Sequence, residues 1–225
     1  MGLGAAEREF RRALELRPSH SDVHFSYSRF LAAAGRMDEA FAEIRRAEEL
    51  DPLSLSLKAN TALLSYFRGQ YDRALTELIE IEQRDASLPV VHWGIGLVYE
   101  QKRMFPEAIA AMQKATSLSA SRNFQSSLAH VYAVSGRPDE ARTVLVALQE
   151  ASKRAYVPSY YAALIRAGLG DTEGAFESLE RAFQERSTVL AYLQLDPRIA
   201  SLRPDPRFAD LLRRIGRDPA TTPAR

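Results

Sequence analysis

Few residues in this chain could do chemistry. There are 4 histidines and no cysteine among its 225 residues, so a thiol nucleophile, a disulfide framework and a cysteine-based metal site are excluded. Of His20, His24, His92 and His130, only His20 and His24 stand close enough to share one helix face, and that pair straddles an expected helix start. It reads as surface histidine, not as a metal pair. There is no glycine-rich phosphate loop and no Gly-x-Ser-x-Gly nucleophile elbow. The acids Asp38, Glu39, Asp72, Glu107, Asp139, Glu140, Asp171 and Glu173 recur at near-regular intervals, each just ahead of an apolar helical pattern. Carboxylates placed there cap free backbone N–H groups and meet the positive end of the helix dipole. They are therefore structural, not paired acid–base catalysts. The Arg11–Arg12, Arg45–Arg46 and Arg213–Arg214 pairs lie on separate helices and read as solvated faces, not as a phosphate track. No catalytic residue, metal ligand or cofactor site is expected, and the chain is not expected to be an enzyme. What remains is recognition.

The elements that would position a recognition surface repeat along the chain. In the stretch VVHWGIGLVYEQKRMFPEAIAAMQKA, two short amphipathic helices meet near Arg103. Gly96 on the first and Ala108 on the second let the pair approach closely. Equivalent turns fall at Gly35, Gly69, Arg103, Gly136 and Gly170, in steps of 34, 34, 33 and 34 residues. Five residues after each turn stands Ala40, Ala74, Ala108, Ala141 or Ala175. Four further on stands Ile44, Leu78, Met112, Leu145 or Leu179, and three beyond that Ala47, Ile81, Ala115, Leu148 or Ala182. A register held over this distance marks an array of units that bury their apolar faces against their neighbours.

A 34-residue period with this alternation of alanine and large apolar residues resembles the tetratricopeptide repeat. The resemblance implies an all-α fold, a right-handed α-solenoid of antiparallel helix pairs. The expected division is a half repeat over 3–18, units at 19–52, 53–86, 87–119, 120–154 and 155–187, a helical cap over 188–216 and a disordered tail over 217–225. The half repeat reads as the remainder of a longer chain, or else as a capping helix with a polar outer face.

In this family the first helices line the concave surface, so the resemblance also assigns a partner-binding groove. Its candidate residues are Phe25 and Arg29 in the first unit and Asn60, Leu63 and Phe67 in the second. The third unit contributes Trp93, Leu97 and Gln101, and the fourth Asn123, Ser127 and His130. Tyr160, Tyr161 and Leu164 complete it from the fifth. An aromatic and apolar groove suits a peptide or protein ligand held by side-chain anchors. Trp93, the single tryptophan, is expected at its centre with a free indole N–H.

The ending from Tyr156 to Gly216 is similar to the close of bacterial tetratricopeptide proteins that belong to transcription regulators and serine/threonine kinases. Pro158, Tyr160, Gly168, Gly170, Asp196, Pro197, Leu202, Asp205, Pro206, Phe208 and Leu211 carry that likeness. It implies a scaffold within a larger bacterial protein, or the sensory arm of such a regulator; a self-assembly module is a further alternative. A net charge of +1 gives no field for direct nucleic-acid contact. No apolar run reaches the ~18 residues of a membrane span, and the opening MGLGAAEREF lacks the apolar core of a secretory signal. A cytoplasmic protein without membrane contact, with self-association left open, is the expectation.

Overall fold

The computed structural model describes residues 3–219. α1 (Leu3–Leu16) is followed by five antiparallel pairs. These are α2 (Ser21–Ala33) with α3 (Met37–Leu50), α4 (Leu55–Phe67) with α5 (Tyr71–Arg84), α6 (Pro89–Gln101) with α7 (Phe105–Leu118), α8 (Arg122–Val134) with α9 (Pro138–Ser152), and α10 (Ser159–Gly168) with α11 (Thr172–Gln184). Two 3-10 helices, Thr188–Tyr192 and Pro197–Leu202, lead to α12 (Pro206–Arg214). No strand occurs among the described residues. The pairs stack into a right-handed solenoid.

The five turns share one mechanism. Each turn residue lies in the left-handed region: Gly35 (φ 80), Gly69 (78), Gly136 (82), Gly170 (74), and Arg103 (59) where glycine is missing. The next N–H reaches back across the helix end, as in Arg36 to Leu31 O, Gln70 to Ser65 O and Met104 to Tyr99 O, all 2.9 Å. This closes the otherwise open carbonyls of the first helix and reverses the chain. The second helix then returns along a seam of small residues. Ala40, Ala74, Ala108, Ala141 and Ala175 have no exposed surface. Of the large apolar series, Ile44, Leu78, Met112 and Leu179 are buried, while Leu145 on α9 stays partly open.

The core is a chain of clusters, not one centre. One joins α1 to α4, the next α4 to α8, a third α8 to α10, and the last α10 and α11 to the C-terminal elements. Each pair contacts the next, as a solenoid requires. The acids at the second-helix starts mostly make side-chain ion pairs: Asp171 bonds a cap N–H, that of Gly174 at 3.0 Å, while Glu39, Asp139 and Glu140 pair with arginines on or beside their own helix. Asp38 pairs with Arg68 at 2.6 Å and Asp72 with Lys102, each reaching into the following pair.

The C-terminal elements close the last pair. Leu190, Leu193, Ile199, Leu202, Phe208, Leu211 and Leu212 pack on Tyr160, Phe176 and Leu179. Arg207 and Arg214, one heptad apart on α12, bond Glu173 and Glu180 bidentately at 2.8 Å. The same guanidinium groups stack over Phe176 and Phe183 at 4.1 and 4.2 Å. Arg214, read in the sequence as solvated, is thus part of this fastening. Residues 217–219, expected to begin a disordered tail, lie against the chain: Arg217 is buried, and Gln194 Nε2 donates to Asp218 O at 2.8 Å. Residues 220–225 of that tail lie outside the described residues.

Candidate functional site

The inner helices and the C-terminal segment enclose a cleft of about 420 Å³ on the concave face. α2 supplies Phe25 and Arg29, α4 supplies Asn60, Leu63 and Phe67, and α6 supplies Val90 and Trp93. From α8 and α10 come Asn123, Phe124, Tyr160 and Tyr161. A further wall is Thr188, Val189, Tyr192, Asp196 and Arg198, from the segment expected only to cap the end of the array.

The segment holds its place by specific bonds. The Tyr192 ring stacks on Phe67 with centroids 5.8 Å apart, and Arg29 Nε donates to Tyr192 Oη at 3.4 Å. Deeper, Arg198 and Asp196 form a buried ion pair at 2.7 Å, with side chains only 5% and 3% exposed. Arg198 Nε and backbone N–H donate to Asp196 Oδ1, and the Tyr160 hydroxyl donates to Oδ2 at 3.0 Å. Burial alone would raise the Asp196 carboxyl. The Arg198 charge and these hydrogen bonds outweigh it and hold the group below the usual carboxylate range. Burial pushes the Tyr160 and Tyr66 hydroxyls up, so both stay neutral.

Ser127 joins this pair to the array. Its fully buried Oγ accepts from Arg198 Nη1 at 2.8 Å and from Trp93 Nε1 at 2.9 Å, and donates to Asn123 O at 2.9 Å. The Trp93 N–H, expected to be free for a partner, is therefore committed. Its ring remains half-buried beside Phe124 (5.6 Å) and is part of the cleft lining.

The expected groove divides in two. Phe25, Arg29, Asn60, Leu63, Phe67, Trp93, Asn123, Tyr160 and Tyr161 line the cleft. Leu97, Gln101, Ser127, His130 and Leu164 do not, and all of these but Gln101 are buried. His130 Nδ1 lies 2.8 Å from Glu100 Oε1 with both side chains sealed, so it faces α6 instead of solvent. His24 and His92 are also fixed: each sets Nδ1 on a carboxylate (Glu43 at 2.7 Å, Glu82 at 3.0 Å) and Nε2 on a backbone carbonyl. Both His24 ring nitrogens are thus engaged away from His20, and among the described residues no three potential ligands gather to hold a metal ion.

The residues that sequence reasoning missed are Phe124 and the C-terminal wall. One signal was present. Asp196 and Arg198 sit between Leu195 and Ile199 in an apolar run, and charges so placed are buried only when paired.

A solenoid of helix pairs with a concave, aromatic-walled cleft defines a repeat-type interaction fold. The tetratricopeptide repeat family matches residues 3–54 and 60–123, more than half of the chain, and the chain belongs to that family. Its fold is similar to that of a thermophilic tetratricopeptide repeat protein of Thermus thermophilus, with a TM-score of 0.60 at 18% identity over 85% of this chain and 98% of the other. A tetratricopeptide repeat protein from Parabacteroides merdae aligns with a TM-score of 0.57 at 17% identity, over 95% and 86% of the two chains. Pseudomonas aeruginosa PilF gives 0.52 at 20% identity over 84% and 87%. No curated protein matches the chain in sequence. No helix of the described residues is long and apolar enough to cross a membrane.

Proposed function

We propose that this chain is a protein-interaction scaffold that receives a peptide or protein segment in its concave cleft. The observation that carries this is the ring of half-buried aromatic side chains, Phe25, Phe67, Trp93, Phe124, Tyr161 and Tyr192, around an opening of about 420 Å³. Half-buried rings on rigid helices supply large contact area at little further loss of freedom, the property of interface anchors. The polar groups of the floor are committed to internal bonds, which favours binding over catalysis. The likeness of the ending to that of bacterial regulators supports a place within a larger cytoplasmic bacterial protein, as scaffold or sensory arm.

A photo-crosslinking residue at Asn60, in the cleft, and another at Glu80, exposed on α5, test the site. Adducts should form in cell extract from position 60 but not from 80, and Phe67→Ala should abolish them. Equal labelling from both positions would remove the assignment.

A further inference from the structure

The cleft is asymmetric. Over α8 and α10 the C-terminal segment covers the concave face, with Arg198 on Ser127 at 2.8 Å and Asp196 on Tyr160 at 3.0 Å. A bound segment therefore cannot follow all five inner helices as it could in an open solenoid. Its footprint is confined to α2, α4, α6, the first turn of α8 and the start of α10, where Tyr161 lies. At the buried end the two charges, Asp196 and Arg198, neutralise each other. Among the described residues that line the cleft the other cation is Arg29, which is exposed. Its guanidinium stands 5.8 Å from the Phe25 ring centroid and meets the Tyr192 hydroxyl at a long 3.4 Å. Among the described residues no carboxylate lies within ion-pair distance of it.

A guanidinium without a counter-ion, beside an aromatic wall, sets the chemistry of its complement. Arginine pairs bidentately with a carboxylate, and a charge at a solvated rim adds selectivity with little desolvation. Phe25, Phe67 and Trp93 make this part of the lining aromatic, which suits an aromatic side chain. Tyr192 already shows the arrangement within the molecule, its ring on Phe67 and its oxygen at Arg29.

We propose that the cleft takes a short segment of a partner protein in which an aromatic residue is flanked by acidic ones. The ring enters beside Phe67, Trp93 and Tyr192, and a neighbouring carboxylate pairs with Arg29. This rests on the interaction reading above and specifies its ligand.

The probes are fluorescent peptides, acetylated and amidated so that only side-chain carboxylates carry charge. Three series are titrated into the full chain by polarisation: a central Phe, Tyr or Trp flanked by Glu, the same residues flanked by Lys, and a central Ala flanked by Glu. The Glu-flanked aromatic series should bind at least about tenfold tighter than either other series. Arg29→Gln, whose side chain is exposed, should erase most of that advantage while circular dichroism shows the chain still folded at the assay temperature. Equal binding of the Lys-flanked series, equal binding of the Ala series, no effect of Arg29→Gln, or no binding at all each overturns this ligand assignment. The scaffold reading is judged separately, by the crosslinks from position 60: if they persist, it stands without this ligand.

Discussion

At the scale of single residues, Ser127 and Asp196 do most to define the cleft. Ser127 Oγ is the shared acceptor for an indole and a guanidinium on elements far apart in sequence. Ser127→Ala strips the shared acceptor from Arg198 and Trp93, a cost of about 1–3 kcal/mol. Urea unfolding should show that loss, and Trp93 emission should move to longer wavelength as water reaches the freed N–H. Asp196 makes stability depend on pH. Its carboxyl titrates below its ordinary value in the folded chain, so in that range the unfolded state binds more protons. The contribution is present above about pH 4, the unfolded value, and is lost as pH falls through the lower folded value. Asp196→Asn removes this titration, so its urea midpoint should fall less steeply below pH ~4 than that of the parent. At neutral pH the same variant should be less stable by about 3–5 kcal/mol, because Arg198 is left buried without its counter-charge.

At the scale of elements, the helix pairs depend on turns that an ordinary residue resists. Four of the five turns use glycine at positive φ, and the third uses Arg103 at φ 59. An L residue in that conformation is strained by roughly 1–2 kcal/mol, against which Arg103 gains only a loose contact with Phe105 at 5.8 Å. Arg103→Gly should therefore raise stability by about 1 kcal/mol, and Gly136→Ala should lower it by a similar amount. Thermal unfolding of the two variants checks both signs. α12 illustrates another element-scale device. Two arginines one heptad apart meet two glutamates and two phenylalanines with the same spacing on α11, so only one register satisfies every contact.

At the scale of the whole molecule, the C-terminal segment changes what kind of solenoid this is. Contacts in a simple array stay local, and its parts can unfold separately. Here Tyr192 reaches Arg29 across 163 residues and Arg198 reaches Ser127 across 71. These contacts tie the first and fourth pairs to the end of the chain. Removing the residues after Arg186 should uncover Tyr160, Phe176 and Leu179 and release that tie. Unfolding should then broaden, with α10 and α11 losing amide-exchange protection first. A truncated chain that melts as sharply as the parent would show that the array is held by its local contacts alone.

The repeat itself was determined by sequence. Each unit meets the same neighbours through the same positions, so a residue type recurs wherever its environment recurs. That is why Arg103 could be placed in a turn without being glycine, and why the alanine seam was legible before any coordinate. The inner faces of α2 and α4 followed from the same periodicity. What the tertiary structure decided is where the groove ends. Asp196 and Arg198 occur once, outside the period, and their meeting with Tyr160 and Ser127 depends on how the chain turns back after α11. The fates of Trp93 and His130 were set in the same way. Periodicity places a side chain on the inner face, but only packing between distant segments determines whether that face meets solvent, a ligand or the chain itself.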